Sequence, residues 1–142
     1  MTVHLLKMAA GCGSLDELIE RQKARCVRKK GMLLFEHRTR NTPKRADEVL
    51  DGGSIYWIFK GAIRARQPIV AIGPAVGRNG KPRCGLTLAF PPIPTVPAPR
   101  GAMQGWRYLE SNDAPPDLKQ AGAGAAKLPP EVADELQRLG LL

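Results

Sequence analysis

Ser54 to Lys60 reads SIYWIFK, and this stretch decides the fold. Ile55, Trp57 and Phe59 alternate with Tyr56 and Ile58, so apolar side chains point to both sides of one strand. Only a strand covered on both faces keeps such a pattern out of water, which places it at the centre of a sheet. Gly53 closes the segment before it and Gly61 breaks it on the far side. Ala62 to Pro74 follows as another strand. Asn79-Gly80 is a hairpin signal, and Arg83 to Phe90 returns with Cys84, Leu86, Leu88 and Phe90 alternating. A two-residue turn there predicts a register in which Ile69 faces Phe90, Ala71 faces Leu88 and Ala75 faces Cys84, all of them apolar. Pro68 and Pro74 lack a donor, which predicts an edge or a bulge in this hairpin.

Working outward, Thr2 to Met8 reads as a first strand, followed by a turn at Gly11-Cys12-Gly13. Ser14 and Glu17 form a capping box. Leu15, Leu18, Ile19, Gln22 and Cys26 recur at helical spacing, which predicts an amphipathic helix from Leu15 to Lys29 ended by Gly31. Met32 to Thr39 reads as a strand. Thr42 and Pro43 open a short helix that runs to Leu50. Downstream, residues 91–103 are a proline-rich, extended connection rather than a regular element. Gln104 to Leu109 is a last strand. Residues 111–128 read as a loop or linker, and 129–142 as a C-terminal helix with Val132, Leu136 and Leu139 on one face. The order favours an α+β fold with a mainly antiparallel, barrel-like sheet, all within one domain spanning 1–142. At 142 residues and 43% apolar content, the chain is long enough to bury a core.

The net charge of +9 is unevenly placed. Between Arg21 and Arg45 stand ten basic residues and one acid, Glu36, so this window alone carries the whole excess. Such asymmetry points to a polyanion, with Arg21, Arg25, Arg28, Lys29, Lys30, Arg38, Arg40, Lys44 and Arg45 as phosphate contacts. Tyr56, Lys60, Arg64 and Arg66 would add a basic and aromatic strand face for stacking or readout. The plainer account is a solvated surface whose cations complement a helix dipole, with Tyr56 in the core. Trp106 and Tyr108 share a face opposite Arg107, and there core packing is the favoured reading.

Signatures of known chemistry are missing. No phosphate-binding glycine loop, zinc-protease motif or nucleophile elbow occurs. Cys12, Cys26 and Cys84 are three scattered cysteines, read as free thiols rather than as a disulfide framework, a zinc site with His4 and His37, or a catalytic thiol. Asp47, Glu48 and Asp51 could be taken for a metal-nuclease cluster, but acids on an exposed helix are ordinary. Catalytic residues, metal and cofactor are therefore expected to be none. No apolar run reaches the ~18 residues a membrane helix needs, and no secretory signal is read at the start, so the expected location is cytoplasmic.

The strings KRADEVLDGGSIYWIFKG (Lys44 to Gly61), ARQPI (Ala65 to Ile69), QGWRYL (Gln104 to Leu109) and DAPPDL (Asp113 to Leu118) resemble a set of small bacterial proteins, the domain of unknown function 1489 family. The opening TVHLLK and the closing GLL are similar to it as well. The resemblance implies no reaction and no catalytic residue. The order of elements also resembles, at fold level alone, small open RNA-binding barrels of the PUA and ASCH type. The function expected is nucleic-acid binding, of RNA in particular. A protein-interaction or ribonucleoprotein assembly factor is the alternative, and a small enzyme acting on a nucleotide or nucleic acid is the third reading.

Overall fold

The architecture comes from a computed structural model that describes residues 2–77, 79–101 and 103–118. Eight strands and two helices follow in the order β1 (Val3–Met8), α1 (Leu15–Lys23), β2 (Val27–Lys29), β3 (Met32–Thr39), α2 (Ala46–Leu50), β4 (Ser54–Phe59), β5 (Ala62–Val76), β6 (Pro82–Ala89), β7 (Ile93–Pro99) and β8 (Trp106–Glu110). A 3-10 turn at Ser111–Asp113 comes after them. The strands form one open sheet in the order β2-β3-β6-β5-β4-β1-β8, and β7 pairs with β5 outside that path. β1 and β4 run parallel, and every other pairing is antiparallel. The chain is thus mostly sheet, mixed in direction but mainly antiparallel, with two helices among the described residues.

Strand β4 is buried along its whole length, as its two-sided pattern requires. Ile55, Trp57 and Phe59 enter one core with Val3, Leu5, Leu15 and Leu18. Tyr56 and Ile58 enter a second, on the opposite face, with Leu6, Ile63 and Leu109. Helix α1 closes the first core. Its Ser14 hydroxyl accepts the Glu17 N–H, and the Glu17 carboxylate accepts the Gly13 N–H in return. Burying Leu15 and Leu18 contributes roughly 1.5–3 kcal/mol each to docking this helix. Gly53 sits where α2 runs into β4. A Cβ there would overlap the carbonyl oxygens of Val49 and Val3, so only glycine lets the chain pass.

Several expectations need correction. Helix α1 stops at Lys23 instead of Lys29, and Val27–Lys29 is a strand paired with Met32 to Leu34. A longer helix would stack Arg21, Arg25 and Lys29 in one i, i+4 row of like charges. Lys30 and Gly31 both take positive φ instead, making a two-residue hairpin turn of the primed kind. Lys60 and Gly61 do the same between β4 and β5. At Asn79-Gly80 the turn is a different one. Only Gly80 of this pair has positive φ, and the Gly77 N–H closes on the Lys81 carbonyl. A three-residue loop results, and it shifts the register by one.

Consequently Pro74 faces Cys84, Ala75 faces Arg83 and Ile72 faces Leu86. An irregularity between Ile69 and Ala71 then brings Ile69 opposite Leu88, not Phe90. Prolines 68 and 74 behave as their missing donors demand. Pro68 lies where β5 changes partners, from β4 to β6, beside that irregularity.

The proline-rich 91–103 connection contains a strand after all. β7 pairs with β5 through Arg66–Ile93, Ala65–Pro94, Ile63–Ala98 and Ala62–Pro99. An edge strand tolerates prolines because few of its N–H groups are needed. Helix α2 begins at Ala46, after Arg45, and not at Pro43. Of the expected loop at 111–128, residues 111–118 are described and lie against β7: the Val96 N–H donates to the Pro116 carbonyl and the Leu118 N–H to the Pro94 carbonyl. The expected helix in 129–142 lies outside the described residues.

Candidate functional site

The predicted site residues fall into three groups. The first is committed to holding the fold. Arg21 donates to the Ala10 and Gly11 carbonyls and pins the turn between β1 and α1. Arg45 binds Glu48 at 2.6 Å and Glu110 at 3.0 Å, and its guanidinium lies over the Tyr108 ring. Both acids hold it well above the ordinary arginine range, while Arg45 pulls Glu48 down. Glu48 is thereby spent, which weakens the metal-nuclease reading of Asp47, Glu48 and Asp51. No group of three or more metal-ligating side chains lies together among the described residues.

The expected strand face around Tyr56 belongs to this first group too. Tyr56 is 5% exposed and packed in the second core, so its ring offers no stacking surface. A bulge opposite Trp57 and Ile58 separates Arg64 from Arg66. Arg64 turns back to the Phe59 and Lys60 carbonyls. Arg66 grips Asp117 with two parallel bonds of 2.7 and 2.9 Å and donates to the Ser54 hydroxyl. These groups tie β4, β5 and the 116–118 segment together.

His4 stands beside them. Its Nδ1 accepts the Ser54 N–H at 3.0 Å, so the neutral ring carries its proton on Nε2, 3.4 Å from the Ser111 hydroxyl. Burial, and then the Arg66 charge, lower its pKa. With Nε2 protonated and Nδ1 occupied, His4 is not a base for Ser111.

The second group is exposed and free of acidic partners among the described residues. Arg28 and Lys29 line strand β2, and Lys30 stands at the tip of the β2–β3 hairpin. Lys44 precedes α2, and Lys60 marks the β4–β5 turn. Val27, Met32 and Leu33 on the same β2–β3 hairpin are also exposed.

The third group converges. Two adjoining clefts, of about 670 and 480 Å³, share Arg38 and Arg83. The larger is lined by Arg25, Phe35, Glu36, His37 and Asn79 as well, and the smaller by Lys7, Arg40, Asn41, Gln104 and Trp106. Among the described residues, five cations thus border the two clefts, against one acid. That acid, Glu36, is bonded to Arg38 at 2.8 Å. The antiparallel register pairs Thr39 with Cys84. Arg40 follows the end of β3 and Arg83 precedes Cys84 in β6, and both line the smaller cleft.

At the inner wall, Lys7 Nζ lies 2.8 Å from His37 Nε2. Burial, reinforced by the Lys7 charge, draws the His37 pKa down to about 3. The ring is therefore neutral near pH 7, and the lysine ammonium donates to its lone pair. Burial also lowers Lys7. His37 meets Trp57 edge to face at 5.1 Å, which anchors the pair to the first core.

Arg25, Arg38 and Arg40 come from the basic window. Lys7 and Arg83 do not, and single-residue patterns carry no sign of them. Arg83 is found only through the β3–β6 pairing, and Lys7 only through its contact with His37.

Residues 5–142 match the model of a family described as "Protein of unknown function (DUF1489)". The chain belongs to this family. Neither a curated protein nor a solved structure matches it. In this DUF1489 chain the strings that carry the resemblance meet in space. Trp57 and Gln67 are bonded, as are Ser54, Arg66 and Asp117, and Arg45 is bonded to Tyr108. Cys12 and Cys84 are buried and Cys26 is half-buried, all three as free thiols, and burial raises the pKa of Cys12 and of Cys26. Among the described residues no helix is long and apolar enough to cross a membrane.

Proposed function

We propose that this DUF1489 protein binds nucleic acid, RNA in particular, along the arginine-bordered cleft and the adjoining β2–β3 hairpin. The observation that carries this reading is the convergence of Lys7, Arg25, Arg38, Arg40 and Arg83 on two clefts that share Arg38 and Arg83. Like charges gathered around one cleft repel one another. A polyanion that threads between them removes that penalty and gains a phosphate contact at each. Arg28, Lys29 and Lys30 extend the positive surface along the hairpin, and none of them has an acidic partner among the described residues. Kinship with PUA-type barrels belongs to this proposal and rests on the order of elements. The cytoplasm, where thiols stay reduced, is the compartment it assigns.

Exposed Val27, Met32 and Leu33, on a hairpin whose outer strand β2 ends the sheet, favour a second reading. In that reading the hairpin docks on a protein of a ribonucleoprotein. Titration of the wild type and of the triple variant Arg25→Gln, Arg28→Gln, Lys29→Gln against mixed RNA at three salt concentrations separates the two. Each neutralised phosphate adds roughly 0.7 to the log–log slope for single strands. The variant is expected to lose about two units of slope by that rule while keeping its thermal midpoint. Wild type that shows no retention on RNA at about 0.15 M salt, or equal slopes for both proteins, would overturn the RNA reading and leave the docking one.

A further inference from the structure

We infer that the smaller cleft is a seat for one nucleotide, its phosphate held by Arg40 and Arg83 and its base laid against Trp106. This rests on the nucleic-acid reading and narrows it, from a charged path to a place where a single unstacked nucleotide stops.

Four features select that ligand. A volume of about 480 Å³ falls within the range of pockets that enclose small molecules. Its charge is uneven. Arg38 is neutralised by Glu36, whereas Arg40 and Arg83 line the cleft with no acidic partner among the described residues. An anion between two such guanidinium groups offsets their repulsion, and their planar forks suit phosphate oxygens. Lys7 adds a third positive group to the lining.

Trp106 supplies the other half. The side chain is half-buried, yet it borders this cleft, with Lys7 of β1 as its cross-strand neighbour. Its Nε1 donates to the Asn41 carbonyl at 2.9 Å and its ring meets Tyr108 edge to face at 5.0 Å, so the indole is held in place before any ligand arrives. With its one donor used, the indole can offer a base only its π surface, which accepts every base. An inorganic oxyanion would need the arginines alone, and a duplex would hide its bases from Trp106. A nucleotide with a free base uses both.

The test uses the full chain with three probes: uridine 5′-monophosphate, inorganic phosphate and uridine. Binding is followed by calorimetry and by tryptophan emission. Trp57 also emits, so the change that reports Trp106 is the part lost in Trp106→Leu. The monophosphate should bind roughly tenfold more tightly than phosphate and quench emission, the increment that stacking one base supplies. Arg83→Gln should weaken the monophosphate and phosphate roughly tenfold alike, the scale of a charge-assisted bond. Trp106→Leu should abolish the preference for monophosphate over phosphate and leave phosphate binding unchanged. If Trp106→Leu does not fold, the preference of the wild type still decides the matter. Equal affinity for monophosphate and phosphate, no quenching, or an unaltered Arg83→Gln variant would overturn the seat. RNA titrated in parallel keeps the two readings apart. Salt-sensitive RNA binding without nucleotide preference removes the seat alone, whereas nucleotide preference without RNA binding removes the RNA reading alone.

Discussion

Gln22 of helix α1 and Gln67 of strand β5 exchange both of their side-chain amide hydrogen bonds, at 2.8 and 2.6 Å, inside the core. The Gln67 carbonyl also accepts from Trp57 Nε1 at 2.8 Å, and its amide donates to the Ala89 carbonyl. Gln22 is 2% exposed and Gln67 is fully buried, and every polar atom between them is satisfied. This pair fixes which way α1 lies on the sheet, because a shift of either partner would strand several buried groups.

Removing one partner should therefore cost more than removing the pair suggests. Gln67→Leu leaves Trp57 Nε1 and the Gln22 amide without partners, at about 1–3 kcal/mol for each unsatisfied group. Gln22→Leu leaves fewer. The double variant should be less destabilised than the two singles combined, with a coupling of about 1 kcal/mol or more in urea unfolding. Strict additivity would show that the two amides act independently.

Gly53→Ala should destabilise by about 1–3 kcal/mol or unfold the chain, because its methyl would meet two backbone carbonyls that belong to α2 and β1. Gly101→Ala is the control. That position has open space and no positive φ, so its change should stay within about 0.5 kcal/mol. Equal thermal midpoints for the two variants would contradict the close approach seen at Gly53.

Acid should weaken the fold through His37. Its pKa falls from 6.5 in the unfolded chain to about 3 in the folded one, so the folded state binds fewer protons between those values. The stabilisation is complete above about pH 6.5 and is lost as pH falls toward 3, with a slope of at most about 1.4 kcal/mol per pH unit from this residue. His4, also lowered, acts in the same direction. His37→Gln should flatten the decline between pH 6.5 and 4.5, read by urea midpoints. An unchanged pH profile in that variant would mean that other groups govern the acid limb.

Asp117→Ala should cost about 1–3 kcal/mol, since it leaves the Arg66 guanidinium half-buried beside His4 and Tyr56 without its acid. Replacing both, as Arg66→Met with Asp117→Leu, should come closer to wild type, because two desolvated charges are removed together. Calorimetric midpoints decide between these outcomes. A double variant as weak as the single one would mean that the pair also shapes the 116–118 segment by geometry.

Local pattern by itself determined the central strand and both of its faces, the capped start of α1, the first and last strands, and the existence of the β5–β6 hairpin. These follow from side-chain period, capping chemistry and glycine, which act over a few residues. Tertiary structure decided the rest. Val27 to Lys29 leaves the helix for a strand because β3 is there to pair with it, and because a charged helix row is unfavourable. β7 forms in a proline-rich segment because β5 leaves an edge free. Which Xaa-Gly pair makes a primed turn depends on whether the residue before glycine also takes positive φ, as Lys30 and Lys60 do and Asn79 does not. The cleft was legible only in part. Charge counting reaches Arg25, Arg38 and Arg40, because they are close in sequence. Arg83 and Trp106 join them through strand pairings between distant residues, and Lys7 through its side-chain contact with His37.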